Sequence, residues 1–349
     1  MDAEQTQDFD ALHSAHPLDL APDAFWADPL AAMEQEMIAA MRQGARGCII
    51  DAPDIVELPM RPTLPLVGCD IATDLEAAQW RFSAEAVVVA TEVFTGATVV
   101  GKAFAPPRDL PPPRALPGVI DEQAASGSTF ALDLFERPGL PRAPGEWVVT
   151  VLARHRASNR VRLSVVDDPT VWRDPEVTRY LAERRRAEGP PAPWPPPAPA
   201  GQAMPSYRHQ PVSPRPPGGP GIALRAERVV LMAPGARCVL AGALHLLVPP
   251  EARVPLAMRT PGGPRAVLPV TLVLTSSDGS APCTLRLQVP VYDLSDAEDE
   301  AVGHFTLDLF DAPGFSRRPR TCFAFAFAGE EMAGPTPFAL LDEAATRAP

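Results

Sequence analysis

The sequence predicts a mainly β protein, two tandem antiparallel β-sandwich domains made by internal duplication. Three observations predict it: a repeated segment at constant offset, a period-two apolar pattern within that segment, and proline spread through the chain. Residues 130–153 (FALDLFERPGLPRAPGEWVVTVLA) superpose without a gap on residues 305–328 (FTLDLFDAPGFSRRPRTCFAFAFA), 175 positions on, with ten of 24 positions identical. A repeat of this kind is read before any local feature, because it sets the architecture. Of the 45 prolines, thirteen lie between Pro190 and Pro220 and the rest are scattered. Each proline removes a backbone donor and fixes φ, which suits short strands and many turns better than long helices.

The identical positions include Phe130/Phe305, Asp133/Asp308, Phe135/Phe310, Pro138/Pro313, Gly139/Gly314 and Arg142/Arg317. Upstream, residues 86–106 and 270–290 each read as an apolar run, a turn containing glycine, and a second apolar run. Val56 and Gly68 match Val230 and Gly242, a glycine twelve residues after a valine in both places. Downstream, residues 159–165 fall opposite residues 334–340. The repeat is therefore a whole domain, expected at 50–168 and again at 222–342. The remainder divides into an N-terminal leader and amphipathic helix (1–49), a helix and Pro-rich linker (169–221) and a tail (343–349).

Within each copy the periodicity is that of strands. Phe130, Leu132 and Leu134 alternate with Ala131 and Asp133, and Phe323, Phe325 and Phe327 alternate with Ala324 and Ala326. The second alternation predicts three rings on one face and small residues on the other, as a sheet packed against another sheet requires.

The segment from Ala131 to Val166 resembles the last three strands of immunoglobulin-like or fibronectin-III-like sandwiches: a strand, a Pro-Gly corner, a strand and a final edge strand. Pro144, Gly145, Glu146, Trp147, Val148 and Val149 stand where that family turns its corner. The corner residue is Trp147 in one copy and Cys322 in the other. The resemblance implies a sandwich fold and carries no particular chemistry.

Two helices stand outside the repeats. Asp28-Pro29 opens the first, with a cap followed by proline at the first helical position. Leu30, Met33, Met37, Ile38 and Met41 form its apolar stripe, and Leu30, Met33 and Met37 are candidate partner-binding residues. Asp174-Pro175 opens the second, which ends in Arg184, Arg185 and Arg186, where the helix dipole favours positive charge. This arginine run is a candidate dock for an acidic partner. Residues 190–220 read as an extended, partly polyproline II spacer.

A net charge of −12 and a pI of about 5.0 speak against nucleic acid as a partner. Lys102 is the single lysine, so Schiff-base chemistry has almost nothing to work with. The alanine-, proline- and arginine-rich composition is that of a GC-rich bacterial genome. Five widely spaced cysteines without a CxxC pair read as small buried hydrophobes. The N-terminus has no basic region followed by an apolar stretch, and no segment is apolar for the length of a membrane span, so the expected setting is cytoplasmic.

No nucleophile elbow, phosphate-binding loop or HExxH motif is present, so no catalytic residue and no required cofactor are expected. His13 and His16 have a chelating spacing only if helical. Asp293, Asp296, Glu298 and Asp299 form the densest acidic cluster, and a loop bearing them could hold Ca²⁺, a cation that takes several oxygen ligands. The plainer reading is a solvated loop that discourages edge pairing. Asp133 and Asp308, carboxylates recurring among apolar neighbours, are expected to accept hydrogen bonds from the corner that follows, with Arg142 and Arg317 as candidate partners. The function expected is that of a non-catalytic protein-interaction or scaffolding protein, its partner another protein. The alternative is an enzyme or accessory metal-binding protein with a site between the modules, drawing on Asp293, Asp296, His304 and His155.

Overall fold

The structure is a computed structural model that describes residues 29–42, 47–58, 61–73, 82–105, 125–167, 217, 219–247, 253–255, 264, 266–293 and 300–342. Compactness divides the chain into one unit of Met1–Ala90, Gly101–Leu152 and Arg156–Met204, and another of Thr91–Val100, Ala153–His155 and Pro205–Pro349. Strands dominate both, as the alternating pattern and frequent turns require.

The first module begins with β1 (Gly47–Asp51), β2 (Ile55–Glu57) and β3 (Pro65–Thr73). A hairpin of β4 (Val87–Glu92) and β5 (Thr98–Lys102) follows. The repeated segment supplies β6 (Ala125–Asp133) and β7 (Gly145–Ala153), and β8 (Arg156–Ala157) and β9 (Val161–Val166) close the module. These strands form two sheets, ordered β1-β3-β6 and β2-β9-β7-β4-β5, with β8 beside β7. The second module starts with β10 (Gly221–Ala226), β11 (Val229–Leu231) and β12 (Val239–Leu247). Its hairpin is β14 (Ala266–Ser276) and β15 (Cys283–Asp293), with the short β13 (Val254–Pro255) beside β14. The repeat supplies β16 (Glu300–Asp308) and β17 (Arg320–Ala328), and β18 (Glu331–Leu341) ends it.

The second module runs β10-β12-β16-β15-β14-β17-β18-β11. Divided between β16 and β15, that order is the order of the first module's two sheets, strand for strand. The join is a short pairing of Val291, Tyr292 and Asp293 with Gly303, Val302 and Ala301. It exists because β15 is eleven residues long where β5 has five. Each module contains one parallel pairing of a short early strand with the last one. Val56 lies parallel to Val165, and Val230 lies parallel to Leu340. The duplication thus extends to the whole strand order, including the parallel pairing of a short early strand with the last one.

One core fills the second module. Leu240 and Leu244 of β12 meet Leu272 and Leu274 of β14, Ala324 and Ala326 of β17, and Phe338 and Leu340 of β18. The strand β17 carries its rings on one face and its alanines on the other, as the alternation requires. Its alanine face, not its phenylalanine face, points into this core. The register explains why: Ala326 is opposite Leu272 and Ala324 opposite Leu274, so leucines occupy the room that alanine leaves. The rings of Phe325 and Phe327 share the other face with Val273 and Thr271, and all four residues are buried.

The first helix, α1 (Pro29–Arg42), forms where the apolar stripe predicts it. Met33, Met37 and Ala40 are buried against Ile49 of β1 and Val67, Cys69 and Ile71 of β3. Burial of each methionine contributes about 2 kcal/mol. Gly127 of β6 leaves the necessary space, since a Cβ there would come within 2.7 Å of the Met37 sulfur. The face covered by α1 in the first module has a different counterpart in the second. Val67, Cys69 and Ile71 are replaced by Ala241, Ala243 and His245, and Thr129 by His304. His304 and Thr306 are exposed, and His245 contacts the Pro217 carbonyl and the Glu300 carboxylate, each at 3.2 Å.

The second expected helix, with Arg184, Arg185 and Arg186, and nearly all of the linker at 190–220 lie outside the described residues, as do His13 and His16. Among the described residues no helix is long and apolar enough to cross a membrane.

Candidate functional site

The features repeated in both modules hold the fold. Asp133 Oδ1 accepts the backbone N–H groups of Leu64 and Phe135, each at 3.0 Å. Asp308 Oδ1 accepts those of Cys238 at 3.0 Å and Phe310 at 3.1 Å. Each carboxylate thus ties the end of one strand to the start of its neighbour and caps the corner that follows. Arg237 Nε adds a 3.0 Å contact to Asp308 Oδ2. Burial opposes ionisation of Asp308, but the bonds from Cys238, Arg237 and Phe310 outweigh it and hold its carboxyl below the usual range.

Arg142 and Arg317 do not serve these carboxylates. Their guanidinium carbons stand 4.7 Å and 4.8 Å from the ring centroids of Phe135 and Phe310. Arg317 Nη2 also donates to the Phe310 carbonyl at 2.8 Å. The expectation that recurring Asp and Arg pair with each other is therefore corrected. Backbone donors at the strand ends occupy Oδ1 of each carboxylate, and the arginine takes the ring face instead. A third device is Gly68 opposite Phe130, and Gly242 opposite Phe305. In each case the ring lies across the glycine, where a Cβ would overlap it.

The expected docking role of Met33 and Met37 is corrected too, because the chain's own sheet takes both. Leu30 alone of the three is exposed, at 40%. Asp293 ends β15, whereas Asp296, Glu298 and Asp299 lie outside the described residues. His304 lies on β16 and His155 in the turn after β7, both exposed. Among the described residues no group of three or more His, Cys, Asp or Glu side chains could hold a metal ion.

The candidate site lies where the modules differ. In the first, Trp147 near the start of β7 is buried at 5% exposure. In the second, that strand position is Cys322, and a cavity of about 250 Å³ opens beside it. Leu274, Cys283 and Cys322 belong to its lining, and the register of β14 with β15 and β17 puts them on one face of the sheet. The corner contributes Phe315 and Arg318, the end of β14 contributes Ser276, and the turn that follows contributes Asp278 and Ser280.

Arg320 organises this wall. Nη1 donates to Ser280 Oγ at 2.7 Å and lies 3.7 Å from Asp278 Oδ2, while Nη2 donates to the Ser316 carbonyl at 3.0 Å. Its side chain is 7% exposed, and its Nε–H has no acceptor. Ser276 Oγ donates to Asp278 Oδ1 at 2.5 Å, and the Ser280 N–H donates to the same oxygen at 3.0 Å. Partial burial works against the charge on Asp278, yet these bonds and Arg320 bring its carboxyl down to about 2. Burial pushes the thiols of Cys283 and Cys322 up, with the Arg320 charge opposing it at both. The arrangement is a half-open, mixed polar and apolar recess with a buried cation and high-pKa thiols. It suits binding better than nucleophilic attack, for which a thiolate is needed. The recess escapes a reading of the repeat because Arg320 has no counterpart in the first copy, where Gly145 stands. The pointer in the sequence is the change from Trp147 to Cys322.

No family model matches the chain, and no curated protein matches it. Among solved structures it is similar over 35% of its length to a Pseudomonas fluorescens alkylpurine DNA glycosylase, AlkC, bound to DNA containing an abasic site analogue. That likeness has 16% identity, 31% coverage of the glycosylase chain and a TM-score of 0.22. It is also similar over 88% of its length to red sea bream transglutaminase, with 7% identity, 34% coverage of that chain and a TM-score of 0.19. The chain spans about a third of the length of each, and likenesses of this size carry no argument about fold or function.

Proposed function

We propose that this chain is a non-catalytic interaction protein, built of duplicated immunoglobulin-like modules that present their divergent surfaces to another protein. The observation that carries this reading is the division of labour between kept and changed residues. Asp133/Asp308, Phe130/Phe305 and Arg142/Arg317, identical in both copies, are spent on backbone ties and ring packing. Chemistry that varies between the copies includes the exposed His304 and Thr306 of β16 and the recess at one loop end, and the loop ends of a sandwich are the parts this class of fold uses for binding. The shared strand order, three strands followed by five with a short early strand parallel to the last, supports the immunoglobulin-like reading of each module.

Affinity capture of the tagged full chain from its native host, with cross-linking before lysis, tests the proposal. The expected result is one stoichiometric protein partner, lost when the exposed pair His304 and Thr306 is replaced by glutamates. Recovery of the chain alone under mild and stringent salt would overturn it.

A further inference from the structure

We propose that the cavity beside Cys322 is a binding site for a small monoanionic carboxylate with a compact apolar body. This goes beyond the protein-interaction reading and does not depend on it. The first line of argument is volume. At about 250 Å³ the recess is larger than the roughly 150 Å³ that suffices for a benzene ring. Phe315, Leu274 and Cys322 give it an apolar side. It opens where the first module buries the indole of Trp147, so an aromatic group already occupies this strand position in the sister fold.

The second line is charge. Arg318 and Arg320 line the recess against the single carboxylate of Asp278, which leaves one positive charge uncompensated. That balance suits a monoanion, because a dianion would meet the Asp278 charge without a second cation to offset it. The third line is the fixed position of a cation in the wall. The Arg320 side chain is 7% exposed and lines the recess, and its Nη1 and Nη2 groups are held by Ser280 Oγ and the Ser316 carbonyl. A guanidinium held in this way presents its charge to a carboxylate without reorganising. The first module has no such arrangement, since Gly145 and Ala143 stand where Arg320 and Arg318 do.

The test uses the full chain with benzoate, its neutral isostere benzyl alcohol, and inorganic phosphate as probes, read by calorimetry and by modification of the Cys283 thiol, which lines the recess. Benzoate is expected to bind at one site and to slow Cys283 modification several-fold, with benzyl alcohol at least tenfold weaker and phosphate unable to compete. Cys322→Trp, which restores the residue of the first module, is expected to abolish benzoate binding. Should that variant unfold, Arg318→Glu, on an exposed side chain, is expected to weaken benzoate at least fivefold with the melting temperature unchanged. The proposal is overturned if benzoate does not bind, if benzyl alcohol binds equally well, if phosphate displaces benzoate, or if a folded Cys322→Trp chain binds benzoate as the parent does. A protein partner could still be captured in each of those cases.

Discussion

Asp308 holds the backbone N–H of Cys238 at 3.0 Å, joining the last residue of β16 to the residue that precedes β12. The same carboxylate oxygen caps the corner through the Phe310 N–H. Replacing Asp308 with alanine leaves two backbone donors without their acceptor, and the expected loss is about 2–4 kcal/mol. Asp308→Asn keeps an acceptor oxygen and is expected to cost less than half as much. Asp133→Ala should behave alike in the first module. Thermal melts of the three variants decide the point, and an unchanged midpoint for Asp308→Ala would remove the structural role.

The ring of Phe305 lies across Gly242, as Phe130 lies across Gly68. Gly242→Ala puts a methyl group into the ring, and the expected cost is about 1–3 kcal/mol. Phe305→Ala is destabilising by itself, because it uncovers the strand. Combined, the two changes should cost less than their sum, since the clash disappears once the ring is gone. A double-mutant cycle by urea denaturation measures this; strict additivity would show that ring and glycine do not interact.

Both of these ties were half legible in the sequence. The recurring glycine, phenylalanine and aspartate were visible, but their cross-strand partners lie about sixty to seventy residues away, in a strand register that no local pattern encodes. Shared recurrence and charge point from Asp308 to Arg317, whereas the carboxylate takes the backbone amides of Cys238 and Phe310 and the side chain of Arg237, a residue outside the strongest part of the repeat. The period of two in β17 separated rings from alanines correctly. It could not say which set faces the core, because that depends on the leucines of β14 opposite. The recess was the least legible feature, since a cavity is set by volume missing between strands.

Acid should unfold the second module in a characteristic window. The carboxyls of Asp278 and Asp308 lie below their ordinary value in the folded chain. On unfolding they return to about 4, so between about pH 4 and about pH 2 the unfolded state binds more protons. Their stabilisation is therefore complete above about pH 4 and lost as pH falls through the folded value, about 2 for Asp278. Ser276→Ala removes a hydrogen bond that holds Asp278 down, and the melting temperature should then fall less steeply across this window than in the parent. Equal slopes would show that Ser276 does not set the Asp278 carboxyl.

The seat of α1 can be read through two cysteines that the register of β1 and β3 places on opposite faces of one sheet. Cys69 pairs with Ile49 on the face covered by Met33 and Met37, whereas Cys48 pairs with Asp70 on the other face. Both are 1% exposed. Gly127 makes room for the Met37 and Met41 sulfurs, and thioethers can yield to a single methyl group but not to a leucine. Gly127→Leu is therefore expected to lift α1 and expose Cys69 to a thiol reagent while Cys48 stays protected. In the parent protein only the half-exposed Cys283 should react before unfolding, slowly at neutral pH because burial raises its pKa. Mass mapping of the labelled residues separates the outcomes. Simultaneous labelling of Cys48 and Cys69 would mean that the sheet itself had opened, and labelling of neither would mean that the helix remains seated by contacts other than the methionines.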